Sequence, residues 1–168
     1  MTQRDVSQEH ETLDRLLGPV ADAMHAEVLV LDPETPGDVA ARRLERAGVS
    51  GAPVVEHGRV VGVVTLGDLF AAAAIDSEAV RTTGPFLRYE RELSRCRVGE
   101  LMTHQPATAV ANWPLTRAVA LMVERGVNRL PVVDDNGRPV GILARDDVLR
   151  ALAARLDRRP GRPQLLPN

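Results

Sequence analysis

Apolar and polar positions alternate along this chain with two different periods, and the switches between them outline the same unit twice. From Leu115 to Arg125, the apolar positions Leu115, Val119, Met122 and Val123 fall on one helical face. Gly126 follows in the position that commonly ends a helix. Pro131 to Asp134 and Pro139 to Leu143 then read as strands around Asp135-Asn136-Gly137, a turn whose Asn and Gly tolerate positive φ. The short apolar strand Ala107 to Val110 precedes this group, and a helix from Asp146 to Leu156 closes it. The earlier part of the chain predicts the same order: strand Val28 to Leu31, helix Asp38 to Ala47, strands Val54 to Glu56 and Val60 to Val64 around His57-Gly58, and helix Gly67 to Ile75.

The two series superimpose residue by residue. At an offset of 78, Met24 matches Met102, Gly48 matches Gly126, and Pro53-Val54-Val55 matches Pro131-Val132-Val133. One extra residue in the second turn shifts the offset to 79, at which Gly62 matches Gly141 and Asp68 matches Asp147. Shared composition does not keep Gly, Pro and Asp aligned in this way, so the chain is an internal repeat. A unit of roughly 55 to 60 residues buries too little surface to be robust alone. The predicted fold is therefore α/β (α+β), with two β-α-β-β-α units packed as a pseudo-twofold pair and a ligand cleft between equivalent elements.

Around the repeats, the segments divide as 1–18, an N-terminal helix or tail; 19–75, the first unit; 76–96, a helical linker; 97–156, the second unit; and 157–168, a basic tail. Ser7 to Leu17 predicts an amphipathic helix with Leu13, Leu16 and Leu17 able to pack. Gly84-Pro85 should open a helix carrying Phe86, Tyr89 and Leu93 on one side. Arg155 through Arg162 reads as a solvated tail rather than a nucleic-acid arm.

Composition narrows the classes. With 44% apolar residues, 21 basic against 23 acidic residues and a net charge of −2, the 168-residue chain has material for two small cores and no field that attracts nucleic acid or membrane. Every basic residue is Arg, and the four aromatics offer no stacking platform for single-stranded bases. No apolar run approaches the roughly 18 to 20 residues of a membrane span, and the polar opening is unlike a secretory signal, so a cytoplasmic protein is expected. Cys96 has no partner cysteine. His10, His25, His57 and His104 are scattered, so solvated loop histidines are expected and no metal site is assigned. No constellation for nucleophilic or acid–base catalysis can be assembled, and the chain is not expected to be an enzyme.

Two runs carry a family resemblance. Gly48-Val49-Ser50-Gly51-Ala52-Pro53-Val54-Val55 followed by Gly62-Val63-Val64-Thr65-Leu66-Gly67-Asp68-Leu69 resembles the cystathionine-β-synthase (CBS) domain. So does Gly126-Val127-Asn128-Arg129-Leu130-Pro131-Val132-Val133 followed by Gly141-Ile142-Leu143-Ala144-Arg145-Asp146-Asp147-Val148. Two copies on one chain resemble a Bateman module. The resemblance implies a regulatory protein that binds an adenosine-containing ligand, of the AMP, ADP, ATP or S-adenosylmethionine type, as in energy sensing. It would signal by changed packing to a protein target in trans. The same resemblance implies a homodimer, for which the apolar helix faces around Phe70 to Ile75 and Val148 to Leu156 are the expected surfaces. A different class stays open: a structural module that binds no ligand and acts through dimerisation.

An adenosine ligand needs a carboxylate for its ribose, a hydroxyl or cation for phosphate, and an apolar slot for adenine. Thr65 and Asp68, at i and i+3 at a helix start, can present the first two where free N–H groups also favour phosphate. The same four residues also fit a capping box, with Thr65 as N-cap. The resemblance implies adenine contacts from the other copy, which gives Met102, Ala107, Val127, Asn128 and Arg129, with Arg129 supplying charge to phosphate. The second site implied in this way comprises Arg145, Asp147, Met24, Leu29, Val49 and Ser50. It departs from the pattern, because Ala144 stands in the place of Thr65 and Gly51 in the place of Arg129. The first site is therefore expected to be the tighter one.

Overall fold

The computed structural model describes residues 12–74 and 85–157, with side chains left out of the description at 74 and 85–89. Residues 12–17 form helix α1. The first unit contains α2 (Gly37–Arg46), β1 (Gly51–Glu56), β2 (Arg59–Thr65) and α3 (Leu66–Ala74). Helix α4 (Pro85–Arg95) and the short α5 (Val98–Leu101) connect it to β3 (Thr103–His104), β4 (Ala109–Val110), α6 (Leu115–Arg125), β5 (Arg129–Val133), β6 (Pro139–Ala144) and α7 (Arg145–Asp157). This is the predicted mixture of helix and strand in two small sheets, with an N-terminal helix.

Each sheet is built around one hairpin. β1 pairs antiparallel with β2 across His57-Gly58, both in the positive-φ region, and β5 pairs antiparallel with β6 across the longer turn containing Gly137. Gly48 and Gly126 hold φ of +65° and +63° after α2 and α6, a conformation that lets each helix stop and turn into its hairpin.

The strand expected over Val28 to Leu31 is reduced to a single parallel bridge, Leu31 to Val54, and the one expected over Ala107 to Val110 to its last two residues. The cause is shared. The next amide along β1 or β5 that could continue the ladder belongs to Pro53 or Pro131, and proline has no N–H to donate. Helix α3 begins one residue before the expected Gly67, and Ile75 lies outside the described residues. So do residues 7–11 of the expected N-terminal helix, the side chains of Phe86 and Tyr89, and the tail from 158 onward.

The units exchange their leading segments. Thr103 and His104, at the head of the second copy, pair with Val63 and Gly62 of β2 in the first sheet. His25, at the head of the first copy, bridges Ile142 of β6 in the second sheet, with N–H to carbonyl distances of 2.9 Å in both directions. Val20 accordingly lies in the core with Leu115, Leu130 and Leu143, while Val98 lies in the other core with Leu31, Leu44 and Val64. The exchange depends on two glycines. A Cβ on Gly62 would sit 2.2 Å from the Met102 sulfur, and one on Gly141 would sit 2.5 Å from that of Met24. Each methionine thus crosses to the other unit and packs where a side chain would otherwise stand. The two halves are interleaved, and two clefts are lined by residues from both of them.

Candidate functional site

At the first corner the chain passes from β2 into α3 with no intervening loop, leaving the first helical N–H groups near the cleft. Thr65 and Asp68 fix each other there. The Thr65 amide and hydroxyl donate to Asp68 Oδ2 at 2.8 and 2.7 Å, and the Asp68 amide donates to Thr65 Oγ1 at 3.3 Å. This is a reciprocal cap with Asp in place of the usual Glu. It locks the carboxylate through Oδ2, while Oδ1 takes no hydrogen bond among the described residues. The half-buried carboxylate is therefore oriented and keeps one acceptor oxygen available.

The second copy supplies the opposite wall through Arg125 to Arg129. Arg129 reaches across to the first copy, and its guanidinium donates to Ser50 Oγ at 2.8 Å. Its path runs over Gly51, where a Cβ would be 2.2 Å from the guanidinium. Burial lowers the Arg129 pKa from its ordinary value and the Asp68 charge opposes that shift. A guanidinium stays protonated in either case, so a fixed cation and a fixed anion face the same space. The cleft measures about 520 Å³, within the usual range for small-molecule sites. Val63, Pro106, Ala107 and Val127 give it apolar surface between the charged groups.

The equivalent cleft is smaller, about 420 Å³, and differently furnished. Gly51 replaces Arg129, Glu27 replaces Gln105, and Arg150 stands on its rim. The corner carboxylate of this copy, Asp147, does not line that cleft: it lines an adjoining pocket of about 440 Å³, with His25 and Arg150 lining both, and it is already engaged. The Ala144 amide donates to Asp147 Oδ2 at 2.7 Å, Arg150 donates to Oδ1, and His25 Nε2 lies 2.9 Å from Oδ1. The Asp147 side chain is only 2% exposed.

This pair of corner clefts coincides with a family model, "CBS domain", that matches residues 20–75 and again 98–154. The chain belongs to the CBS-domain family. It is a tandem CBS pair, and its fold matches solved CBS-pair structures. The structure of CBSX2 "in complex with AMP" superimposes with a TM-score of 0.67 at 34% identity, covering 83% of this chain and 99% of that one. The curated chloroplastic CBSX2 of Arabidopsis thaliana is 33% identical over 136 residues, 73% of this chain and 57% of that protein. MJ1225 of Methanocaldococcus jannaschii is 31% identical over 161 residues, 91% of this chain and 54% of that protein. Its structure superimposes with a TM-score of 0.68. The CBS pair here thus spans little more than half the length of these two curated relatives.

Of the first set of residues expected from sequence, Thr65, Asp68, Ala107, Val127, Asn128 and Arg129 line one cleft. Met102 does not line it, because its side chain is spent packing on Gly62. Of the second set, Leu29 and Val49 line the smaller cleft, whereas Asp147 does not and lines the adjoining pocket instead. Met24 is placed on Gly141, and Ser50 lines the first cleft, held there by its bond to Arg129. Arg145 is exposed, with its amide donating to the Asn128 carbonyl at 2.9 Å, and it is Arg150, one turn further along α7, that meets Asp147.

Gln105, Thr103 and Arg125 also line the first cleft and were not anticipated. Gln105 holds a positive φ of 46°, which a residue-type pattern does not announce. His25 stays 62% exposed but is tied into the fold, bridging Ile142 and placing Nε2 2.9 Å from Asp147 Oδ1. Among the described residues no helix is long and apolar enough to cross a membrane.

Proposed function

We propose that this CBS pair is a regulatory module that binds one adenosine 5′-monophosphate-type ligand per chain in the Asp68 cleft. Asp68 Oδ1 accepts from the ribose hydroxyls, Arg129 holds the phosphate, and the apolar surface around Val63, Ala107 and Val127 takes the adenine. The Thr65 hydroxyl directs its proton to Asp68, so it serves first as a cap, and the charge for phosphate falls to Arg129. The single observation that carries this reading is the open oxygen of a locked carboxylate facing a cation fixed on the other copy. The AMP complex of the similar CBSX2 pair supports it.

Because Arg129 bridges the copies through Ser50, a phosphate that engages it changes a contact between the two units. Ligand binding can then bias their packing, provided that the two packings differ in affinity. A protein target in trans, or a second subunit, reads the change. Phe70 on α3 and its equivalent Leu149 on α7 are each 57% exposed, and they supply apolar surface for a closed twofold dimer. Light scattering should give twice the 18.2 kDa chain mass; a monomer with and without AMP removes the dimer from the reading.

Calorimetric titration with AMP tests the site. Wild type should bind one equivalent. Asp68→Ala should remain folded and bind roughly ten- to a hundredfold more weakly, as expected for charge-assisted bonds of about 1.5 to 3 kcal/mol. Wild-type affinity in a folded Asp68→Ala protein removes Asp68 from the site, and an absence of binding to wild type favours a module that acts through dimerisation alone.

A further inference from the structure

We infer that Arg150 and His25 are built-in occupants of the second carboxylate, and that by standing between Asp147 and the smaller cleft they close that cleft to a nucleoside. The inference rests on the reading of the Asp68 cleft as an adenosine site and concerns the cleft that reading leaves out. Both corners begin identically: a backbone amide donates to Oδ2 of the aspartate, from Thr65 at 2.8 Å and from Ala144 at 2.7 Å. They differ at Oδ1. In the first corner that oxygen has no partner among the described residues, whereas in the second Arg150 donates to it and His25 Nε2 lies within 2.9 Å.

The repeat shows which residues make the difference. At the offset of 79 Arg150 corresponds to Ala71, and at the offset of 78 His25 corresponds to Thr103. Neither of these two residues, which stand at the first corner, hydrogen-bonds Asp68 among the described residues. Arg150 sits one turn beyond Asp147 on the same helix, so its guanidinium folds back over the helix start, and His25 arrives from the exchanged leading segment of the other unit. Together they satisfy and bury the oxygen that a pair of ribose hydroxyls would need. Asp147 is consequently a fold-stabilising charge held inside the protein rather than a ligand group facing outward.

The same alignment states what the cleft would accept if it were opened. Gly51 gives it no counterpart of Arg129, and an arginine cannot be added there while Arg129 occupies the space over Gly51. Glu27 further disfavours an anion. The ligand class is therefore an uncharged nucleoside, for which adenosine is the probe.

The test uses the full chain saturated with AMP and then titrated with adenosine. Wild type should take up no adenosine. The double variant His25→Thr/Arg150→Ala, which installs the residues found at the first corner, should bind AMP within about twofold of wild type and gain one adenosine. Adding Asp147→Asn should weaken that gained binding at least about tenfold. Arg150→Ala alone, which leaves His25 in place, should gain the same adenosine more weakly and guards against misfolding of the double variant. Adenosine uptake by AMP-saturated wild type overturns the inference, as does a folded double variant that takes up none. If wild type binds no AMP, direct adenosine titration still separates the two ideas: a site gained only in the double variant sustains the inference and rejects the Asp68 reading, whereas none in either protein rejects both.

Discussion

The two units of the pair fill the same core position from different parts of the chain. Leu115, at the start of α6, is fully buried in the second unit. Its counterpart in the first unit is Gly37, where a Cβ would sit 2.8 Å from the Leu93 carbonyl oxygen. Leu93 of α4, 4% exposed, lies against Gly37 and fills the core instead. The inter-unit helix is thus part of the first core, while α1, which holds the equivalent place beside the second, leaves Leu13 45% exposed and contributes only the half-buried Leu17. A repeat can keep its backbone while its halves diverge in which segment completes each core. The clefts show the same divergence: one aspartate leaves an oxygen without a partner among the described residues and the other spends it inside the protein.

The largest effect should come from breaking the core comparison. Leu115→Ala and Leu93→Ala should each cost about 2 to 5 kcal/mol in denaturant unfolding, since each leaves a cavity that rigid neighbours do not fill. Gly37→Ala should not substitute for the lost leucine and should itself destabilise, because its Cβ meets a backbone oxygen. A Leu93→Ala loss below about 1 kcal/mol would show that α4 is peripheral to the first unit.

A smaller effect sharpens the comparison between the aspartates. Both cap a helix, so Asp68→Ala should cost about 1 kcal/mol in stability. Asp147→Ala should cost about 2 kcal/mol, the excess reflecting the Arg150 bond to its buried carboxylate, with His25 alongside. The excess stays modest because Arg150 is 65% exposed and regains water when its partner is removed. Equal losses in the two thermal melts would show that the clamp on Asp147 contributes nothing to folding.

The smallest effect concerns the hairpin turns. The Arg138 amide, and after it the Asn136 amide, hold the Asp134 carboxylate below its ordinary pKa, with N–H to oxygen distances of 2.9 Å each. A folded-state pKa below the unfolded one means that this stabilisation is present above the ordinary carboxylate range and is lost as pH falls through the lowered value. An NMR titration should show Asp134 protonating below about pH 3.9, the ordinary aspartate value, and Asp134→Asn should remove that step from the acid unfolding profile. Titration at or above the ordinary value contradicts the turn geometry.

The repeat, the hairpins and the Asp68 corner were legible because each rests on residues with narrow conformational or chemical use: Gly, Pro, Asp at fixed offsets. The exchanged leading segments were not legible. Met24-His25 and Met102-Thr103 are too short to carry a strand period, and nothing in their pattern says which sheet they join. The shortened strands turned on the missing amides of Pro53 and Pro131, which matter only once the parallel partner is known. Arg145 drew attention as the cation nearest the motif, but it begins α7 and lies exposed. Arg150, which does reach Asp147, reads in sequence as an ordinary surface charge one turn along a helix, and its partner His25 is distant in the chain. Those contacts depend on tertiary placement, which local spacing does not encode.

The deciding question is which carboxylate meets the ligand. A crystal structure of the full chain grown with AMP should show one nucleotide per chain, with its ribose on Asp68 and its phosphate on Arg129, while Arg150 and His25 remain on Asp147. Nucleotide bound at Asp147, or at both aspartates, would contradict it.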